Sequence, residues 1–210
     1  MAKKLGHYEK AISLYKRVVF LRKEHCSPTH WSVAVALAAL GDAQRKKGEL
    51  ERAVRTLEQA QLLIVKSIGT RNTEYVDIKH SLARCLIKQG HVVQATHMLQ
   101  QCVDDATALV TAQHPRVAEL HITLGEAKEA LDELDAAKAH FNKAIGILRA
   151  LRATLDLADA LHAFAAFQLR RAAASSARLA AKEGLLIVQK VFGKGTMHAK
   201  AKAFEVLLSE

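Results

Sequence analysis

Gly6-His7-Tyr8-Glu9-Lys10-Ala11-Ile12-Ser13-Leu14-Tyr15 decides the fold, because its pattern returns down the chain. Gly6, Gly48, Gly90 and Asp132 stand 42 residues apart; Ala11, Ala53, Ala95 and Ala137 follow five later, and Tyr15, Leu57, Leu99 and Phe141 four after that. A second series runs Leu40-Gly41, Leu82-Ala83 and Leu124-Gly125, again 42 apart, and reaches Phe164-Ala165 after a step of 40. Two residues are therefore missing near 151–156. A weaker fifth copy places Ala177, Ala181 and Gly184 where the fourth has Ala137, Phe141 and Ala144. A fixed period of this length signals an array of supersecondary units.

Inside each unit the apolar residues fall at helical spacing, as in Ala11, Leu14, Tyr15, Val18, Val19 and again Ala137, Phe141, Ala144, Ile145, Leu148. Gly48 and Gly90 separate helical runs, Gly69 and Gly193 sit where a helix ends left-handed, and Pro115 takes a first helical position. The spacing predicts ten helices, over 5–24, 30–46, 49–67, 73–88, 91–111, 115–130, 133–151, 155–170, 173–191 and 197–208. The columns of small residues have a steric reason: where two helices cross closely, only Gly or Ala fits on one of them, beside a large partner. Gly41, Ala83, Gly125 and Ala165 mark that crossing on the first helix of each pair, and Ala53, Ala95, Ala137 and Ala177 mark it on the second. Such pairs stack into a one-dimensional solenoid with a concave and a convex face.

The Leu-Gly/Ala step, the Gly-x-aromatic/aliphatic-x-x-Ala run and the helix opening His114-Pro115-Arg116-Val117-Ala118 resemble the tetratricopeptide repeat (TPR), and the 42-residue period is similar to its longer kinesin light chain form. The resemblance covers nearly the whole chain. It implies an all-α, right-handed superhelical solenoid of about ten antiparallel helices, as a single array over 1–210. That array comprises an orphan second helix (5–24), repeats at about 30–71, 72–113, 114–152 and 153–196, and a lone first helix (197–208). Ends of this form suit either a solvating cap or the cut edge of a longer protein, and the opening directly on a repeat motif favours the latter.

Composition bounds the function. The 210 residues carry 31 Lys+Arg against 21 Asp+Glu, a formal net charge of +10, with half the residues apolar and only 5% aromatic. No apolar run escapes interruption by Lys or Arg for the roughly 18 residues a membrane span needs, so no membrane insertion is expected. Cys26, Cys85 and Cys102 cannot all pair, which suits a reducing compartment. The surplus is uneven: residues 1–47 hold +7, 48–89 hold +2, 90–131 hold −3, 132–171 hold +1 and 172–210 hold +3. Lys16, Arg17, Arg22 and Lys23, with Lys3, Lys4 and Lys10, form a basic end patch on the first helix, and several readings stand open for it: an acidic protein, a tubulin-like surface, phosphates met through counterion release, or solvation of an outer face. An organelle presequence is also basic and acid-poor, but from Leu5 onward the residues obey the repeat.

In the family the first helices line the groove. Projected here, that face carries Arg45, Lys46, Asp77, His80, Arg84, Lys88, Glu119, Glu126, His162 and Arg170. The asparagines with which relatives grip a peptide backbone are absent, which argues against carboxylate clamping and against the kinesin light chain cargo mode. A partner helix or peptide with acidic residues stays open, met by Arg45, Lys46, Arg84 and Lys88. His80 and His162 share a column, where solvated polar residues are expected. Helical repeats that read RNA carry paired reader side chains in every unit, and no such column appears, so nucleic acid is the runner-up. Trp31 staples a helix entry or anchors a partner. No phosphate loop, nucleophile elbow or metal-binding pair is found, and His91, His97 and Cys102 fall on different faces of one helix. Cys102 reads as core and Cys26 as a loop thiol. The expectation is a non-catalytic interaction scaffold or adaptor without cofactor or metal, cytoplasmic, with family analogy alone suggesting a cytoskeletal or ciliary assembly or part of a larger complex.

Overall fold

Each repeat turns at one residue that must adopt a left-handed backbone. Gly48 has φ 97° and ψ 5°, and its N–H donates to the Arg45 carbonyl while Glu49 N–H donates to the Gln44 carbonyl at 2.9 Å. The same pair of bonds recurs at Gly90, Asp132 and Ala172, each with positive φ. These bonds satisfy the last carbonyls of one helix and start the next within two residues. Glycine adopts this conformation without steric cost, aspartate tolerates it, and alanine is strained by it.

The other ends of these helices are capped by a second periodic device. His30, Asn72 and His114 lie 42 apart, and their side chains accept from the N–H of Ser32, Tyr75 and Arg116. His198 Nδ1 does the same for Lys200. A ring nitrogen or amide oxygen here satisfies an N–H that the helix itself leaves open.

The computed structural model describes residues 2–152, 154–193 and 198–209, with side chains from residue 7 onward. Among these residues there are ten helices and no strand: α1 (Ala2–Cys26), α2 (Trp31–Lys47), α3 (Leu50–Ile68), α4 (Thr73–Lys88), α5 (Val92–Leu109), α6 (Pro115–Ala130), α7 (Leu134–Ala150), α8 (Thr154–Arg170), α9 (Ala174–Phe192) and α10 (Ala199–Ser209). The predicted spans agree to within three residues at every boundary inside the described residues; the expected starts at 153 and 197, and the side chains of Lys3, Lys4 and Gly6, lie outside them. Cys26 closes α1 and is exposed, not in a loop.

The chain forms two compact units, Met1–Leu109 and Val110–Glu210. In each, every helix packs on its neighbours in sequence, and alternate helices also touch: α2 with α4 in the first unit, α6 with α8 and α8 with α10 in the second. The first helices of the pairs thus form an inner layer, and the second helices lie outside it.

The crossings are closely packed. Ala53, Ala83, Ala95, Ala137 and Ala165 are fully buried and Ala177 nearly so. A Cβ added at Gly41 would lie 2.6 Å from Leu57 Cγ, and one at Gly125 would lie 3.0 Å from the Phe141 ring. Leu57 and Phe141 fill the groove that the missing side chain leaves, and each anchors a core cluster of its unit.

Candidate protein-interaction surfaces

The inner layer of the first unit is built on α2 and α4. Asp42 accepts from Arg45 Nε at 3.0 Å and pairs with Lys46 Nζ at 2.7 Å. Burial alone would raise the Asp42 carboxyl, yet the bonds from Lys46 and Arg45 outweigh it and hold the group below its usual range. Arg45 is only 3% exposed, so the cation expected to meet a partner is spent on its own helix. His80 is buried as well, and burial, then the Arg84 and Arg45 cations, push its imidazole down to about 3. That corrects the expectation of a solvated histidine. Asp77 and Arg84 are engaged by neighbouring groups, and Lys88 is exposed at the end of α4.

In the second unit the inner layer is cross-braced. Arg170 on α8 donates two bonds of 2.7 Å to Glu129 on α6, and Lys200 on α10 meets Asp159 on α8 at 2.7 Å. Both braces join residues 41 apart, so each ties one first helix to the next. Glu119 and Glu126 are exposed but engaged. The His162 ring stands edge-on to Phe204 at 5.4 Å, and burial lowers its titration. Deeper in the unit, His121 and His140 face each other across α6 and α7.

The outer helix α1 is different. Lys10, Lys16, Arg17 and Lys23 are exposed and make no ion pair among the described residues. Arg22, grouped with them in sequence, is turned inward and donates to the Ser32 carbonyl on α2. The reason is its register: Arg22 stands in the column of Ile64, Ala106 and Leu148, all core. Spacings of four, three and four place Lys10, Leu14, Arg17 and Leu21 on one stripe. Leu14 is 64% exposed. Tyr15, beside it, is 37% exposed although Leu57 and Leu99 in its column are fully buried. The apolar half of this stripe is what a reading of the charges alone misses, although the heptad spacing was there to be read.

Lys16 points the other way, into a cavity of about 380 Å³ between α1 and the α2–α3 turn. There Lys47 bridges Glu9 at 3.2 Å and Glu49 at 2.9 Å. Trp31 opens α2, with its ring 5.5 Å from the capping His30, and stays 40% exposed. Burial raises the Cys85 and Cys102 thiols to about 11 and about 12, as befits inert core sulfur. No three metal-binding side chains converge among the described residues, and no helix among them is long and apolar enough to cross a membrane.

Two family profiles, each described as tetratricopeptide repeat, match residues 71–150 and 36–66, together just over half of the chain. The chain belongs to the tetratricopeptide repeat family. Several solved structures share its fold. A putative kinesin light chain of Podosopora anserina with nearly identical TPR-like repeats superposes with a TM-score of 0.65 at 21% identity, covering 89% of both chains. BtubC (BKLC) from P. vanneervenii gives a TM-score of 0.71 at 13% identity over 99% of this chain and 81% of that one. A Rap protein complexed with competence and sporulation factor gives 0.77 at 17% identity over 98% and 60%. A curated relative, the RxLR effector protein SFI4 of Phytophthora infestans, is 23% identical over 198 residues, 93% of this chain. The chain spans 58% of that relative's length. The TPR fold is a scaffold of the kind that mediates protein interactions and is typically non-catalytic.

Proposed function

We propose that this TPR protein is a non-catalytic adaptor that captures an acidic segment of a partner protein on α1. The observation that carries this reading is the contrast in how charge is spent. Inner-layer cations Arg45, Lys46, Arg170 and Lys200 are each paired within their own unit, whereas Lys10, Arg17 and Lys23 on α1 are exposed without an ion pair among the described residues. Exposed like charges raise the encounter rate with an acidic surface, and apolar residues between them hold the complex once formed.

What supports a binding role is that a Rap protein of the same fold was solved complexed with competence and sporulation factor. The place of action is the cytoplasm, with the kinesin light chain likeness pointing to a cytoskeletal setting. Cross-linking mass spectrometry in native extract, comparing wild type with Lys10→Glu/Arg17→Glu/Lys23→Glu and with Lys88→Glu, tests this. Cross-links from α1 to acidic segments, lost in the first variant and kept in the second, are expected. Loss only on changing Lys88 would move the site to the inner layer. Capture of RNA in place of protein, with a steep salt dependence, would put the protein in another class.

A further inference from the structure

Three of the four complete pairs, α2–α3, α4–α5 and α6–α7, carry a large residue in the column of Tyr15 and show what a helix must carry to cover a helix such as α1; in the fourth, α8–α9, that column holds Ala181. Gly41 lies against Leu57 and Gly125 against Phe141, and Ala83 stands at the equivalent place in the pair that holds Leu99; none of Leu57, Leu99 and Phe141 is more than 1% exposed. Four residues before that small residue, the same helix meets the outer stripe of its partner. Leu37 packs in one cluster with Leu63; Lys79 Nζ meets Gln101 Oε1 at 3.3 Å and Asp105 at 3.8 Å; His121 Nδ1 meets His140 Nδ1 at 3.0 Å. The partner positions are equivalent across the repeats. Gln101 corresponds to Arg17, His140 to Leu14, and Leu63 and Asp105 to Leu21. At these three crossings the residue four before the small one is chemically matched to the stripe: apolar to apolar, cation to acid and amide, imidazole to imidazole.

On α1 this stripe reads Leu14, Arg17, Leu21, and Tyr15 occupies the crossing column while remaining over a third exposed. We infer that α1 takes a helix of a partner protein that carries a Gly or Ala over Tyr15 and a Glu four residues before it, the carboxylate reaching Arg17 and the aliphatic stem lying on Leu14 and Leu21. This rests on the α1 reading above and specifies its partner. Two features of α1 select a helix over an extended acidic peptide. Tyr15 needs a close approach that only a small residue on a helix gives in the complete pairs, and the exposed stripe repeats at helical spacing. Glutamate supplies both the charge Arg17 lacks and the methylenes that cover leucine.

The probe is a synthetic peptide with the sequence of α6, residues 115–130, carrying His121→Glu, titrated into the full ¹⁵N-labelled protein. Saturable amide shifts at Leu14, Tyr15, Arg17 and Leu21 are expected, with the same peptide bearing Gly125→Leu weaker by about tenfold because its crossing is blocked. A charge swap gives the control that folding defects cannot mimic: protein Arg17→Glu prefers the peptide carrying His121→Lys over the one carrying His121→Glu. Equal binding with Gly125→Leu, no reversal of preference, or shifts confined to α2 and α4 would overturn the inference. If Arg17 governs partner capture in extract while the peptide shows no Gly125 dependence, the acidic partner stands and the helical one falls; if Arg17 is irrelevant in both, the α1 reading itself falls. Self-association of the protein through α1, seen as concentration-dependent mass lost in Arg17→Glu, would replace the partner by a second copy and likewise overturn it.

Discussion

His121 on α6 and His140 on α7 meet through their Nδ1 atoms at 3.0 Å, with ring centroids 5.2 Å apart. The difference is about twice the distance from a ring's centre to its nitrogen, so the rings meet edge to edge with one proton between two neutral imidazoles. Burial, then Lys143 and His140, pushes His121 down to about 4; burial, then Lys128 and Lys143, lowers His140. The unfolded chain takes up these protons near pH ~6.5, the folded chain only at lower pH, so within that window unfolding binds protons and acid promotes it. Stability is full above about pH 6.5, falls from there towards pH 4, and His80, folded at about 3, extends the fall. Urea midpoints should therefore drop between about pH 7.5 and about pH 5. They should drop less in His121→Leu/His140→Leu, a change that places at 121 the residue that the equivalent position 37 already holds. An equal drop in both proteins would remove the pair as a cause.

Gly184 faces the ring of Phe204 so closely that an added Cβ would clash with the Cζ and Cε1 carbons of that ring. Gly184→Ala should cost about 1–3 kcal/mol, because a ring on one helix must shift against backbone on the other. Gly146, in the middle of α7, has nothing within 4 Å of its added Cβ. Gly146→Ala should instead gain about 0.5–1 kcal/mol from the restricted unfolded chain. Thermal unfolding followed by circular dichroism distinguishes them, the two midpoints moving in opposite directions. A shared direction would mean that crossing geometry does not set the cost.

These glycines also show why so much of the fold was legible. A crossing with no room and a turn with positive φ each admit few residue types, so both leave periodic marks that survive in the sequence. The site left none of comparable clarity. Arg45 and Lys46 are adjacent cations, and only helix rotation decides that one is buried and the other open. Arg22 belongs to a basic run by composition and to a core column by register, and register won. The Glu129–Arg170 brace depends on a partner 41 residues away, which no local pattern announces. Scattered histidines proved to be caps at 30, 114 and 198, a periodicity the sequence did carry.

The turn column predicts its own repair. Ala172 holds φ 57° where Gly48 and Gly90 hold 97° and 88°. Ala172→Gly removes the clash between Cβ and the following carbonyl, and should stabilise the second unit by about 0.5–1 kcal/mol after the entropy that glycine adds to the unfolded chain. Gly48→Ala introduces that clash and should cost about 1 kcal/mol. Chemical denaturation of both variants checks the pair. A destabilised Ala172→Gly would show that the turn is set by its side chain and not by its backbone.

Arg45 and Lys46 share the Asp42 carboxylate, and that equality of partners isolates the effect of burial. The Arg45 side chain is 4% exposed and the Lys46 side chain 49%. Lys46→Ala removes an ion pair that water largely replaces, and should cost less than about 1 kcal/mol. Arg45→Ala leaves Asp42 half-buried with one cation fewer and empties the space its aliphatic stem fills, for about 2–3 kcal/mol. Arg45→Met keeps the stem and should recover part of that loss, separating packing from charge. Because Asp42 is held ionised by both cations, Asp42→Asn should narrow the gap between the two alanine variants in the same urea titrations. If Arg45→Ala and Lys46→Ala unfold together, Arg45 is solvated and returns to the inner face as a cation for an acidic partner.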